Sequence, residues 1–372
     1  MNYFKQGPSF LLARGAGPRF LIGCVLVSIG ILLAGAAGSW DITNHLLNKP
    51  ETFFAPPHAV LYSGVAIAVA GAAMLFTAAR SAAGNRIIIP WPAKMVAAGV
   101  IVLVAAGPAD FAWHSAFGLD GLLSPPHFVL LSGMVASSIG ALAGVVYYNK
   151  TFMRGSSSSS SGSELRLSPA LIVIGILPIW LALSGVVDMF SLPFSESDYF
   201  NFNPPPALGA ANATLGFPFL VAAMLYTASA LAGRRFGIMS ITGATFIVTG
   251  ALTSIAPNEA LVPTLPFYML NMIPIVAADA ILSYRYWRPF KISIYAAGAI
   301  AGLAFFTLYY PLITHTYNEV LTQEPALWAS LTAPTYFEMI GTVLLFTAVP
   351  AAAMGVLGAV TADKLIAKNK IL

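Results

Sequence analysis

Runs of roughly twenty apolar residues recur along this chain, at 19–40, 57–79, 93–113, 126–148, 168–188, 206–232, 237–256, 264–284, 292–312 and 334–360. A bilayer core about 30 Å thick is crossed by about 20 helical residues. In lipid the backbone must satisfy its own polar groups, which a helix does within one segment. Each run therefore predicts a transmembrane helix, and the chain an all-α polytopic bundle of about ten helices. Composition agrees: 58% of residues are hydrophobic and 9% charged, whereas soluble domains carry about 25% charged residues. A soluble enzyme is excluded.

The connections between runs alternate in charge. One set contains "RSAAGNRIIIPWPAK", "NKTFMRGSSSSSSGSELR", "GRR" and "RYWRPFK". With both termini it holds every Lys and Arg except Lys49. The other set holds Asp41, Glu51, Asp110, Asp120, Asp188, Glu196, Asp198, Glu259, Glu319 and Glu324. Basic loops stay in the cytoplasm, so both termini are expected inside a cell membrane and the acidic loops outside. An even number of spans follows. The basic start precedes a full-length apolar run, which reads as a first span rather than a cleavable signal. The Gly/Ser-rich stretch is a flexible cytoplasmic linker. It divides the chain into an N-terminal membrane half, 1–150, a linker, 151–167, and a C-terminal membrane half, 168–372.

The acidic loops join the runs in pairs, so the bundle is expected to be built of helical hairpins. The second helix of each opens on proline, which costs nothing at a first helical turn. Two of these openings, "PPHAVLYSG" and "PPHFVLLSG", are nearly the same sequence. Upstream of them lie "WDITNH" and "DFAWH". The order is Asp41, His45, His58 in the first hairpin and Asp110, His114, His127 in the second, each with the spacing D-x3-H-x12-H. The chain has 5 histidines, and four belong to this repeat. Asp188 ends the fifth run as Asp41 ends the first, but no histidine follows it.

Aspartate and histidine four residues apart share one helix face. A hairpin returns the second histidine to the same end, so one carboxylate and two imidazoles are expected to converge twice. Two nitrogens and one oxygen suit copper, iron or zinc. Ionisable groups beside membrane spans default to functional roles. The competing expectation is a hydrogen-bond network that only pins the loops. With 1 cysteine, Cys24, the chain has no disulfide and no thiolate zinc site. Tyr62 lies one turn past His58 as a candidate orienting residue. Asp120, His315 and Glu338 are accessory candidates, and Trp40 and Trp113 suit the membrane interface. Asp279 is expected to pair with Arg285 or Arg288. No nucleotide-binding loop or haem-attachment motif is present, and no nucleic-acid partner is expected. The expected partners are the lipid bilayer, other membrane subunits and a small-molecule substrate.

The D-x3-H-x12-H spacing on two helices joined by an outer turn resembles the copper site of the C subunit of particulate methane and ammonia monooxygenases. The resemblance covers the first two hairpins. It implies one copper site at Asp41, His45 and His58 and a second at Asp110, His114 and His127. In that family a neighbouring site of similar spacing has Asn in place of Asp, whereas both triads here carry Asp. By this resemblance the chain is expected to be a copper-dependent membrane oxidoreductase or a subunit of one. A multi-pass transporter or metal-handling protein is the alternative, and a structural subunit a further one.

Overall fold

The computed structural model describes residues 16–46, 52, 54–81, 89–118, 122–153, 167–191, 206–257, 262, 265–284, 290–306 and 344–368. Among them the protein is an all-α bundle: α1 (Ala16–Leu46), α2 (Pro56–Ser81), α3 (Trp91–Phe117), α4 (Pro125–Tyr148), α5 (Pro169–Met189), α6 (Pro206–Leu231), α7 (Ile238–Gly250), α8 (Leu265–Met269), α9 (Met272–Ser283), α10 (Phe290–Phe306) and α11 (Leu344–Lys368). Short π-helical turns extend α4 over Asn149–Met153 and α7 over Ala251–Ile255. Of the described helices, 8 are long and apolar enough to cross a membrane. The chain is a multi-pass membrane protein in contact with lipid. Val69, Ile101, Val104 and Phe111 are exposed on α2 and α3, as expected of surfaces that lipid covers.

The hairpins are closed by glycine. A Cβ built on Gly64 would sit 2.6 Å from the Gly30 carbonyl oxygen and 2.7 Å from the Ala34 nitrogen. One built on Gly133 would sit 2.8 Å from the Gly99 oxygen and 2.7 Å from the Leu103 nitrogen. The α1–α2 and α3–α4 pairs thus touch backbone to backbone, as small residues permit between membrane helices. These contacts recur at a constant offset, the one that relates Asp41 to Asp110. The internal repeat is therefore one of packing as well as sequence.

The same contacts give the directions of the helices. Gly23 meets Leu75 while Gly30 meets Ala68, so α1 and α2 are antiparallel; Gly99 with Ser137 and Gly140 with Val96 show the same for α3 and α4. Gly35 meets Met134 and Gly144 meets Cys24, so α1 runs against α4 and with α3. Gly175 meets Leu142 and Gly185 meets Leu131, so α5 runs against α4. The C-termini of α1, α3 and α5 consequently lie at one end of the bundle. Buried Phe20, Val27, Ile31, Val96, Ile172, Ile176 and Leu231 belong to one core cluster, so α5 and α6 pack into the N-terminal half.

Two expectations change. The run 264–284 is not one helix: α8 ends at Met269, Leu270 and Asn271 form a turn, and α9 begins at Met272. Pro274 lacks the N–H that a ladder continued from α8 would need. The last described helix spans Leu344–Lys368, so it runs beyond the end of the expected 334–360 segment. Residues 307–343 lie outside the described part, and so do most of the linker, Glu51, Asp120, His315 and Glu338.

The described partners of Asp279 are on α7 and α9. Asp279 is fully buried and caps α7 from α9. Its Oδ2 accepts from the Gly237 N–H at 2.9 Å, the Ser240 N–H at 2.9 Å and the Ser240 hydroxyl at 2.7 Å. Its Oδ1 accepts from the Ser283 hydroxyl at 3.1 Å. A carboxylate at a helix N-terminus satisfies orphan donors and meets the positive end of the helix dipole. Arg285 and Arg288 lie outside the described residues. At the same end, the Tyr226 hydroxyl donates to Asp363 of α11, and Arg234 approaches Asp363 at 3.7 Å.

Candidate metal centre

The second hairpin brings its complete triad together. Asp110 and His114 stand one turn apart near the end of α3, and His127 stands in the first turn of α4. Asp110 Oδ1 lies 3.4 Å from His114 Nε2 and 3.3 Å from His127 Nε2. One ligand atom from each of the three residues fits within a mutual 4.8 Å. The imidazole rings lie 5.4 Å apart, tilted by 51°.

Local sequence sets this geometry. Gly118 ends α3 at φ 79° and ψ −173°, with its N–H on the His114 carbonyl. Glycine takes that backbone without steric cost, and the turn aims the Gly118 carbonyl back at the His114 ring. Ser124 caps α4, its hydroxyl accepting from the His127 N–H at 3.4 Å. Pro125 and Pro126 fill the next two positions, where no N–H is required. His127 is thus the first residue of α4 whose N–H needs the cap.

The hydrogen bonds decide which nitrogen of each ring faces the carboxylate as a donor or as a lone pair. His114 Nδ1 lies 3.2 Å from the Gly118 oxygen, and His127 Nδ1 lies 3.2 Å from the Leu122 oxygen. A carbonyl only accepts, so both Nδ1 atoms carry the proton. In the neutral rings both Nε2 atoms then present lone pairs to Asp110 Oδ1. That oxygen is buried and accepts no hydrogen bond among the described residues. Two lone pairs and a carboxylate oxygen at these distances repel one another unless a cation joins them. Nδ1–H on a carbonyl with Nε2 left open is also the way proteins orient metal-binding histidines. Each of the three side chains is about a quarter exposed, so the centre is reachable from solvent.

The first hairpin repeats part of this. His58 Nε2 lies 3.3 Å from Asp41 Oδ2, and His58 Nδ1 lies 3.1 Å from the Thr52 oxygen. The Tyr62 ring is 6.1 Å from the His58 ring, tilted by 37°, so Tyr62 flanks the histidine as its spacing suggests. In the second copy Leu131 occupies that position and packs against Gly185 of α5. His45 is on α1, but its side chain lies outside the described part. The two copies differ at the helix cap, where Ser124 is replaced by Ala55, which offers no hydroxyl.

Spacing alone did not reveal Ser124, Gly118 or the Leu122 carbonyl. A serine before two prolines, and a glycine just past a helix's last turn, are the signals that point to the first two. No family model, curated protein or solved structure matches the chain.

Proposed function

We propose that the chain is a membrane metal protein that holds copper at Asp110, His114 and His127, with Asp41, His45 and His58 as a second, repeated site. The observation that carries this is the pair of Nε2 atoms at 3.3 and 3.4 Å from one buried carboxylate oxygen, with each ring's Nδ1 on a backbone carbonyl. The distances fit a metal. Tetrahedral ligands on bonds of about 2.0–2.1 Å lie about 3.3–3.4 Å from one another, close to the 3.3 and 3.4 Å observed. Two imidazoles and a carboxylate suit copper, with iron and zinc as the other metals of that preference.

The residues have distinct tasks. Asp110 supplies the negative charge. His114 and His127 supply nitrogen, their rings held by the Gly118 and Leu122 carbonyls. Three protein ligands leave a position for a small exogenous molecule, and the partial exposure of all three gives it access. Copper there would supply one-electron redox chemistry. The resemblance to the monooxygenase C subunit supports oxidation as the use, and a place within a larger membrane complex. The alternation of loop charge supports an outward-facing centre in the cell membrane, with both termini inside. The triad sits at helix ends, whereas transporter sites lie near the midplane at broken helices, which favours oxidation over transport.

The test is elemental analysis of protein purified without chelator and loaded separately with copper, iron and zinc. Wild type is expected to retain about one to two equivalents of copper. His114→Ala is expected to lose the second site, and His45→Ala with His114→Ala to lose both. Wild type that stays metal-free after loading refutes the proposal.

A further inference from the structure

Two glycines of the repeat hold no neighbouring helix close. Among the glycines described within helices, only Gly38 and Gly107 have nothing within 4 Å of a Cβ built on them. They stand at the offset that relates Asp41 to Asp110. Each lies one turn before its aspartate and two turns before the first histidine of its triad. Gly30 and Gly99, deeper on the same helices, are pressed against neighbouring backbone instead.

The histidine bonds show which way each centre opens. His114 Nδ1 is held by the Gly118 oxygen and His127 Nδ1 by the Leu122 oxygen. Both rings thus turn Nδ1 to the α3–α4 connection, whose Leu122 and Ser124 are buried. Nε2 is on the other side of an imidazole. Both Nε2 atoms meet Asp110 Oδ1, one turn further into the span than His114. Side chains on a helix lean toward its N-terminus, so the Asp110 carboxylate leans over the turn that carries Gly107. Beside that turn Val104 is 47% exposed and Phe111 55%, both apolar and on a surface that lipid covers. The first hairpin repeats the arrangement, with His58 Nδ1 on the Thr52 oxygen, Nε2 on Asp41 Oδ2 and Gly38 in place of Gly107.

On the metal reading above, we infer that the open coordination position of each centre faces the bilayer across a notch that Gly107 and Gly38 keep clear. These two glycines then set the size of the ligand that the metal accepts. A ligand held there is small, uncharged and soluble in hydrocarbon, because an ion is costly to bring out of water. A side chain longer than a hydrogen at either position would occupy the space beneath the carboxylate without meeting any protein atom, so it would exclude ligand and leave the helix packing intact.

The test uses the full chain in lipid nanodiscs, loaded with copper and reduced with dithionite. Methyl and n-butyl isocyanide are the probes, both neutral ligands of Cu(I), and the infrared band of the bound isocyanide is the readout. Wild type is expected to bind n-butyl isocyanide more tightly than methyl isocyanide, by about fourfold for each methylene the notch takes up. Gly38→Leu combined with Gly107→Leu is expected to raise half-saturating n-butyl isocyanide about tenfold, with copper content at the wild-type value. Gly38→Ala combined with Gly107→Ala is expected to fall between the two. Ala105→Leu, nearly opposite Gly107 around α3 at 100° per residue, is expected to leave both probes unchanged. Wild type that holds copper but binds the two isocyanides equally overturns the inference and leaves the metal reading standing, as does a copper-loaded double-leucine protein that binds n-butyl isocyanide as wild type does. A wild type without copper overturns both.

Discussion

Replacing Asp110 by asparagine separates a metal centre from a loop-pinning network, because the two predict opposite signs. In the metal-free protein Asp110 Oδ1 faces two Nε2 atoms at 3.3 and 3.4 Å, which are acceptors in the neutral rings because the Nδ1 atoms hold the protons against carbonyls. An asparagine in the same place has an amide N–H to offer them. A buried polar group left unsatisfied costs about 1–3 kcal/mol, and a hydrogen bond gained contributes about 0.5–1.5 kcal/mol. Metal-free Asp110→Asn is therefore expected to be more stable than metal-free wild type by about 1–3 kcal/mol. With copper the order reverses. Free metal at a hundred times the dissociation constant stabilises a folded site by about 2.7 kcal/mol, and the variant has lost its charged ligand. The assay is thermal unfolding at about pH 8, where protons compete weakly with metal for the ligands, with chelator or with excess copper. If Asp110→Asn is instead destabilised in chelator, the histidines are donating to the carboxylate. The lone-pair argument then fails.

Two further outcomes test the surrounding structure. Gly118→Ala places a side chain at φ 79°, a backbone worth about 1–3 kcal/mol of strain, and shifts the carbonyl that holds His114. Copper titration is expected to show about 10–100-fold weaker binding at this site, with the first hairpin unaffected. Asp279→Ala removes the acceptor of four hydrogen bonds and leaves the half-buried Gly237 and Ser240 N–H groups without it. A loss of about 2–4 kcal/mol is expected, read as a lower unfolding midpoint at unchanged metal content.

Much of the frame was legible because lipid leaves a chain few choices. Hydropathy placed α1 to α7 to within a few residues, and the spacing of Asp110, His114 and His127 placed their convergence. Hydropathy failed at α8 and α9 because it counts apolar side chains and not backbone bonds. The turn at Leu270–Asn271 interrupts the apolar run with a single polar residue, too little to lower its average. The role of Asp279 was hidden for a different reason. Its partners at Gly237 and Ser240 are distant in sequence and are mostly backbone N–H groups, which carry no residue signature. The nearby arginines were the more visible candidates. The Leu122 carbonyl that orients His127 is likewise invisible, since any residue supplies a carbonyl and only the turn decides where it points.

The glycine contacts carry a consequence for how these helices tolerate change. Gly30 and Asp41, like Gly99 and Asp110, are about three helical turns apart, so the residue that touches the neighbouring backbone and the residue that would grip the ion share one azimuth. Inserting a single amino acid between them would leave the glycine seated and turn the carboxylate aside by about 100°. The stretch between them can exchange one apolar side chain for another, but its length is not free to drift.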